Sequence, residues 1–381
     1  MKKIKLGDIG ITLNGETIPS ENGIYPAYGG NGIIKRVDSF NQDGNVIAIG
    51  RVGAQCGVVH YCEKKCWITD NCLCFKPNEK FNGYYVYYLL KILNLNKFHI
   101  GSAQPLITQS IINDITCDFV LDKNKQDKAA NLLYSIDKKI ELNKKINATL
   151  EAMAKTLYDY WFVQFDFPDE NGKPYKTSGG KMIYNAELGR DIPADWEVKR
   201  LSDFAIYATE KISSENISIN QYIATDNMLS NMQGIMISQY EPLELKIQEF
   251  KCGDILLANI RPYFKKIWLS YFDGGCNSDV LVIRSKNIKN AEYVYSTLAR
   301  DDFFSYNVAG SKGTKMPRGD KTHIMHYSIL SNEILTKLFV DKVRPIYRKI
   351  YESTVENNCL AALRDWLLPM LMNGQVVLRG K

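Results

Sequence analysis

Five cysteines and a histidine crowd one stretch of this chain: Cys56, His60, Cys62, Cys66, Cys72 and Cys74. Thiolate and imidazole are the donors zinc prefers, but the C-x3-C and C-x-C spacings here are not those of a usual ribbon or finger. The remaining histidines, His99, His323 and His326, complete no H-E-x-x-H. Gly310-Ser311-Lys312-Gly313-Thr314-Lys315 is basic and Gly-rich, yet its glycines lack the G-x-x-x-x-G-K-[ST] spacing that cradles a nucleotide phosphate. Asn259-Ile260-Arg261-Pro262-Tyr263-Phe264 partly matches the Asp/Asn-Pro-Pro-aromatic tetrapeptide with which amino-methyltransferases hold an extruded base, but Arg261 breaks the pattern. No G-x-G-x-x-G follows a strand. The residues therefore point away from catalysis and from a cofactor or metal held by this chain.

Recognition chemistry is better supplied. Polar loops carry Lys35, Arg36, Arg51, Gln55, Ser102, Gln104, Thr108 and Gln109 in the first part of the chain. Arg261, Lys265, Lys266, Lys312, Thr314, Lys315 and Arg318 lie in the second. Arg can read guanine edges and Gln or Asn adenine edges through paired hydrogen bonds, whereas Lys more often takes phosphate. Taken singly, each reads as a solvated surface charge. Lys312–Arg318, with three basic residues, one glycine and little apolar content, reads as a functional cluster. The net charge of +6 permits nucleic-acid binding and equally suits an ordinary soluble protein.

Elements that could position these loops come in duplicate. Val343, Ile346, Ile350, Ser353, Asn357, Leu360, Arg364, Leu367 and Leu371 repeat, 210 positions on, Leu133, Ile136, Ile140, Asn143, Asn147, Leu150, Ala154, Leu157 and Trp161. The steps alternate three and four, the seam of a coiled coil, and both copies turn polar at the same two steps. A polar seam residue weakens a pair but fixes its register. Each helix closes a longer unit. The openings Leu6-Gly7-Asp8-Ile9 and Leu201-Ser202-Asp203-Phe204 correspond, as do the apolar strands after Gly44 and Gly253, and Gly101-Ser102 with Gly310-Ser311. Val280 and Val282 stand where the first unit has Cys72 and Cys74, so these thiols read as small strand hydrophobes.

The expected order is a mixed domain over 1–122, a long helix over 123–168 and a Gly/Pro-rich linker over 169–195. A second mixed domain over 196–335 and a second long helix over 336–381 follow, with Pro345 delaying or kinking its start and Pro369 and Gly374 bringing it to an end. An intramolecular antiparallel helix pair would put the domains at opposite ends. Ile136, Ile140, Asn147, Leu150, Leu157, Trp161 and Phe162 are the pairing and docking candidates on the first helix. Ile346, Ile350, Asn357, Leu360, Leu367, Leu371 and Met372 are those on the second. The absence of an apolar leader and of disulfide-type context suggests reduced thiols and a cytoplasmic location.

The stretch Leu157-Tyr158-Asp159-Tyr160-Trp161-Phe162-Val163-Gln164-Phe165-Asp166-Phe167 resembles the central region of type I restriction–modification specificity subunits. Pro168–Tyr175, Ser178–Met182 and Glu187–Pro193 with Trp196 continue the likeness, which spans essentially the whole chain. The resemblance implies an α+β fold, with two pseudo-repeated mixed α/β target recognition domains separated by two long helices forming an antiparallel coiled coil. It implies that each domain reads half of a bipartite, asymmetric target in double-stranded DNA while the helices set the unread spacer. It implies docking of two modification subunits carrying S-adenosylmethionine, joined by restriction subunits that use ATP and Mg2+, with no catalysis in this chain. Met1-Lys2-Lys3 departs from the pattern, offering no tryptophan to match Trp196. Two rivals remain open from the residues alone: a stand-alone DNA adenine methyltransferase or endonuclease with an unrecognised site, and a homodimeric coiled-coil DNA-binding regulator.

Overall fold

Apolar runs too short for helices and bounded by Gly, Asn and Asp become strands in the computed structural model, which describes residues 1–101 and 104–376. The chain divides into two compact units, Met1–Asn143 with Val355 onward, and Lys144–Thr354.

In the first unit, Gly10–Asn14, Cys72–Pro77, Val46–Gly50 and Val59–Cys62 form an antiparallel four-stranded sheet in that order. In the second, Ala205–Tyr207, Val280–Ser285, Ile255–Ala258 and Ile267–Leu269 form the same sheet in the same order. A two-stranded ribbon accompanies each, Lys2–Lys5 with Thr116–Phe119 and Glu197–Arg200 with Ser328–Ser331. The central strands are buried on both faces, so they read as continuous apolar runs rather than alternating ones. Ile47, Ile49, Leu73 and Phe75 face one core, together with the aromatic helix Gly83–Leu93. Val46, Ala48, Cys72 and Cys74 face a second, smaller core. The second unit repeats this division, with Ile255, Leu257, Leu281 and Ile283 on one side and Leu256, Ala258, Val280 and Val282 on the other.

Beyond that shared sheet the units differ. The first adds a three-stranded sheet of Gly32–Val37, Asn22–Gly29 and Trp67–Ile68; the second adds a four-stranded one of Lys211–Ser213, Lys246–Phe250, Gly274–Cys276 and Tyr222–Ile223.

Two long helices, Lys123–Tyr158 and Glu333–Met372, each contribute residues to both units. The first continues as a π-helical turn, Asp159–Val163. The second begins before Pro345 and runs through both Pro345 and Pro369, against the expectation from proline alone. The carbonyls those rings leave without a helical partner belong to Asp341 and Asp365, both exposed residues, so solvent can satisfy them. The aromatic-rich stretch after the central sheet strand of the second unit forms two helices, Ala291–Leu298 and Asp301–Ala309, separated by the extended Arg300. The Gly/Pro-rich stretch 169–195 is more than a linker. Met182–Asn185 and Arg190–Pro193 pair as a hairpin, and Phe167, Ile192 and Trp196 enter the core of the second unit. Its strands are short and half-exposed, so no periodicity announces them.

Candidate nucleic-acid interface

Each shared sheet ends in a pair of loops tied by an equivalent set of backbone hydrogen bonds. In the first unit, Arg51–Gly57 leaves the central strand. Arg51 N–H donates to Asn71, Gly53 N–H to Pro105 at 3.0 Å, and Ile107 N–H to Arg51. Ile100 and Leu106 exchange two bonds of 2.9 Å around the second loop. In the second unit, Asn259–Lys265 leaves the equivalent strand. Asn259 N–H donates to Asp279, Arg261 N–H to Pro317 at 2.8 Å, and Gly319 N–H to Asn259. Lys312 and Arg318 exchange two bonds of 2.9 Å.

Matching bonds give matching residues. Arg51 corresponds to Asn259, Gly53 to Arg261, Gln55 to Tyr263 and Gly57 to Lys265. Gly53 and Gly57 have φ of 70° and 83°, and Arg261 and Lys265 hold the same left-handed conformation at 51° and 53°. A side chain in that region costs about 1–2 kcal/mol, so the second unit keeps two cations at positions that glycine would fill without strain. Gly101 and Gly313, at φ of 86° and 99°, begin the second loop of each pair. The sequence match of Gly101-Ser102 to Gly310-Ser311 is therefore corrected: Gly101 corresponds to Gly313, because the shared left-handed turn and the flanking bonds fix the alignment.

These loop pairs gather many of the candidates. Arg51, Gln55 and Gln104 share the first; Ser102 lies outside the described residues. Gln55 and Gln104 are exposed, and the Gly30–Asn31 turn reaches Gln55, since a Cβ on Gly30 would sit 3.2 Å from the Gln55 Cβ. Arg51 is half-buried, and its Nε has no hydrogen-bond partner. Thr108 caps the short helix Gln109–Asp114, accepting from Ile111 N–H at 3.3 Å, so its hydroxyl serves the fold. Lys35 and Arg36 lie on a strand instead. Lys35 donates to the Pro19 carbonyl and Arg36 to that of Ile24 at 2.7 Å, pinning the segment before their strand.

Arg261, Lys265, Lys266, Lys312, Thr314, Lys315 and Arg318 share the second pair. Lys265 bridges Asp301, Lys312 bridges Asp320, and Arg318 meets Asp279 at 2.9 Å. Lys266 donates to the Thr225 carbonyl at 2.6 Å. Lys312, with the His323 and Thr322 backbone N–H groups, holds the Asp320 carboxyl down at about 2. Thr314 and Lys315 are exposed. The Nε of Arg261 and the Oδ1 of Asn259 are buried without partners, as are both amide atoms of Asn307 on the adjoining helix. Six basic side chains against the three carboxylates that pair with them leave this loop pair net positive. Tyr263 and Phe264, noted in the sequence only within a broken tetrapeptide match, are exposed beside those cations.

The crowded thiols lie elsewhere, inside the smaller core of the first unit. Burial pushes Cys72 up to about 11 and Cys74 up to about 12. Among the described residues no three His, Cys, Asp or Glu side chains gather as metal ligands.

The helix seam is polar where the two copies match. Within the first unit, the Asn143 amide donates to Asn357 Oδ1 at 3.0 Å and to Glu356 at 2.7 Å, and Arg364 bridges Asp137 at 2.8 Å. That register is antiparallel. Within the second unit, Asn147 donates to Thr354 at 3.2 Å and to the Ile350 carbonyl at 3.3 Å. Ile136 is buried; Ile140, Leu150, Leu157, Ile346, Leu360 and Leu367 are half-buried. Trp161 and Phe162 are buried in the core of the second unit, and Leu371 and Met372 in that of the first, so these four support their own units rather than offering a docking surface. Met153 and Leu363, 210 positions apart, are exposed instead at 54% and 44%. No helix among the described residues is long and apolar enough to cross a membrane.

Residues 1–152 match the family model of the type I restriction modification DNA specificity domain. The MjaIX type I specificity subunit of Methanocaldococcus jannaschii is 26% identical over 323 residues, covering 79% of this chain and 70% of that protein. The HindI specificity subunit of Haemophilus influenzae is 22% identical over 341 residues, covering 71% of each. In fold, the chain is similar to the crystal structure of the type I restriction–modification S subunit from M. genitalium. The TM-score is 0.66 at 15% identity, over 97% of this chain and 96% of that one.

Proposed function

We propose that the chain is a type I restriction–modification specificity subunit and that its two loop pairs read the two halves of a bipartite DNA target. The observation that carries this reading is the repetition of one backbone scaffold with unlike side chains on it. Arg51, Gln55 and Gln104 in one unit, against Asn259, Arg261, Tyr263 and Lys315 in the other, suit two different half-sites. The long helices, which both units share, set the unread gap and dock two modification subunits. Exposed apolar residues at equivalent positions, Met153 and Leu363, suit two copies of one partner. S-adenosylmethionine, ATP and Mg2+ belong to the modification and restriction subunits, and this chain performs no chemistry, working with them in the cytoplasm.

Single-molecule methylation mapping in cells carrying this subunit with its partners would return both half-sites and the gap. Arg51→Ala with Gln55→Ala should alter one half-site and leave the other intact, and Arg261→Ala should do the reverse. If either set changes both halves, or neither, the assignment of one loop pair to each half-site is wrong.

A further inference from the structure

Resting on that reading, we infer that Tyr263 and Phe264 form an aromatic wedge that stacks against an opened base step in the half-site read by the second unit. The two rings are exposed at 48% and 39%, with centroids 4.7 Å apart. Their backbone is held from several sides. Arg261 N–H donates to Pro317, Phe264 N–H to Arg261 and Lys265 N–H to Pro262, while the Phe264 and Lys265 carbonyls accept from Asn231 and Met232, both at 2.8 Å. A loop so anchored keeps its rings outward by construction. The first unit shows what the position could otherwise hold. Gln55 stands where Tyr263 is, and the fully buried Cys56 stands where Phe264 is. The second unit has thus replaced a core thiol by a solvent-facing ring at the same step of the same loop.

The surroundings point to a nucleic-acid occupant. Arg261 and Lys265 flank the rings in strained left-handed conformations, and Lys266 lies 5.9 Å from the Phe264 ring centroid. Lys312, Lys315 and Arg318 follow across the Pro317 bond. Aromatic faces bordered by cations suit bases whose phosphates run alongside, and apolar wedges of this kind unstack base steps and bend the duplex.

The test uses the full chain assembled with its modification subunits on a duplex carrying the mapped target, with 2-aminopurine placed in turn through each half-site. Apart from the adenine that each modification subunit extrudes, wild-type complex should raise fluorescence several-fold at one step of the second unit's half-site and at no step of the other. Tyr263→Ala with Phe264→Ala should abolish that rise in the bound complex, and Tyr263→Phe with Phe264→Tyr should retain it. No enhancement with wild type, or an enhancement unchanged in the double alanine variant, would overturn the wedge. So would loss of assembly with the modification subunit in that variant, which would make the rings a protein contact. If binding is lost with alanine and restored by the aromatic exchange, stacking stands; loss not restored counts against it. Failure of the proposed function would show differently, as no reproducible bipartite motif in the methylation map.

Discussion

Asn143 offers a sharp test of what holds the long helices in register. Its side chain is 2% exposed and donates to Glu356 at 2.7 Å and to Asn357 at 3.0 Å. A neutral hydrogen bond contributes about 1 kcal/mol net and one to a charged acceptor about 1.5–3. The Glu356 side chain is 45% exposed, so water compensates part of its loss and the lower figure applies. Asn143→Ala should therefore destabilise the local helix pair by about 2–3 kcal/mol, Asn357→Ala by about 1, and the double variant by about 1 less than their sum. Native-state hydrogen exchange of the amides around Asp137–Asn143 reads these values as opening free energies without requiring the two-unit chain to melt in one step. A coupling within about 0.3 kcal/mol of zero would mean the amides merely share a wet groove, and the register would have to rest on Asp137–Arg364 and the apolar steps.

Gly101→Ala and Gly313→Ala both force alanine into the left-handed region, about 1 kcal/mol or more each. The Gly101 Cβ would also meet the Gln104 carbonyl oxygen at 2.7 Å, whereas that of Gly313 meets nothing nearer than 3.5 Å. Chemical denaturation should rank Gly101→Ala as the more costly, and equal costs would refute the clash with the Gln104 carbonyl. Titration with a thiol reagent at pH 8 should modify the exposed Cys252 and Cys359 and spare the other seven until the chain unfolds. Cys72→Val with Cys74→Val should fold normally, since Val280 and Val282 fill those places in the second unit; failure to fold would show the thiols do more than pack. The Asp320 carboxyl sits at about 2 instead of its ordinary value. Because this folded-state value is depressed, its stabilising contribution is present above about pH 4 and fades as pH falls toward 2. Lys312→Ala should raise the Asp320 titration part of the way by carbon-13 NMR, the His323 and Thr322 N–H groups remaining, and an unmoved midpoint would refute the pairing.

The long helices were legible because a seam repeated at a fixed offset carries its own check. Asn143 and Asn357 meet as their shared polar steps suggested. The valines at 280 and 282 likewise revealed what Cys72 and Cys74 do. The hairpin within 169–195 was hidden because glycines mark turns but not the pairing between them, and Phe167, Ile192 and Trp196 are too scattered to show a period. The loop pairs were only half legible. Basic residues marked them, but the alignment of Gly53 with Arg261 depends on backbone bonds and a positive φ that an arginine gives no hint of. Trp161, Phe162, Leu371 and Met372 misled for the opposite reason, since a seam pattern cannot distinguish a helix face that meets another helix from one that enters a core.

The division of the chain also sets an order of folding. Lys144–Thr354 is one uninterrupted stretch, whereas the first unit needs Leu368, Leu371 and Met372 to close its core. As the chain leaves the ribosome, the later-made unit therefore has all its residues before the earlier-made one does, inverting the usual N-terminal-first sequence. Chains truncated shortly past residue 354 and released from the ribosome should carry a protease-resistant second unit and a cleavable first.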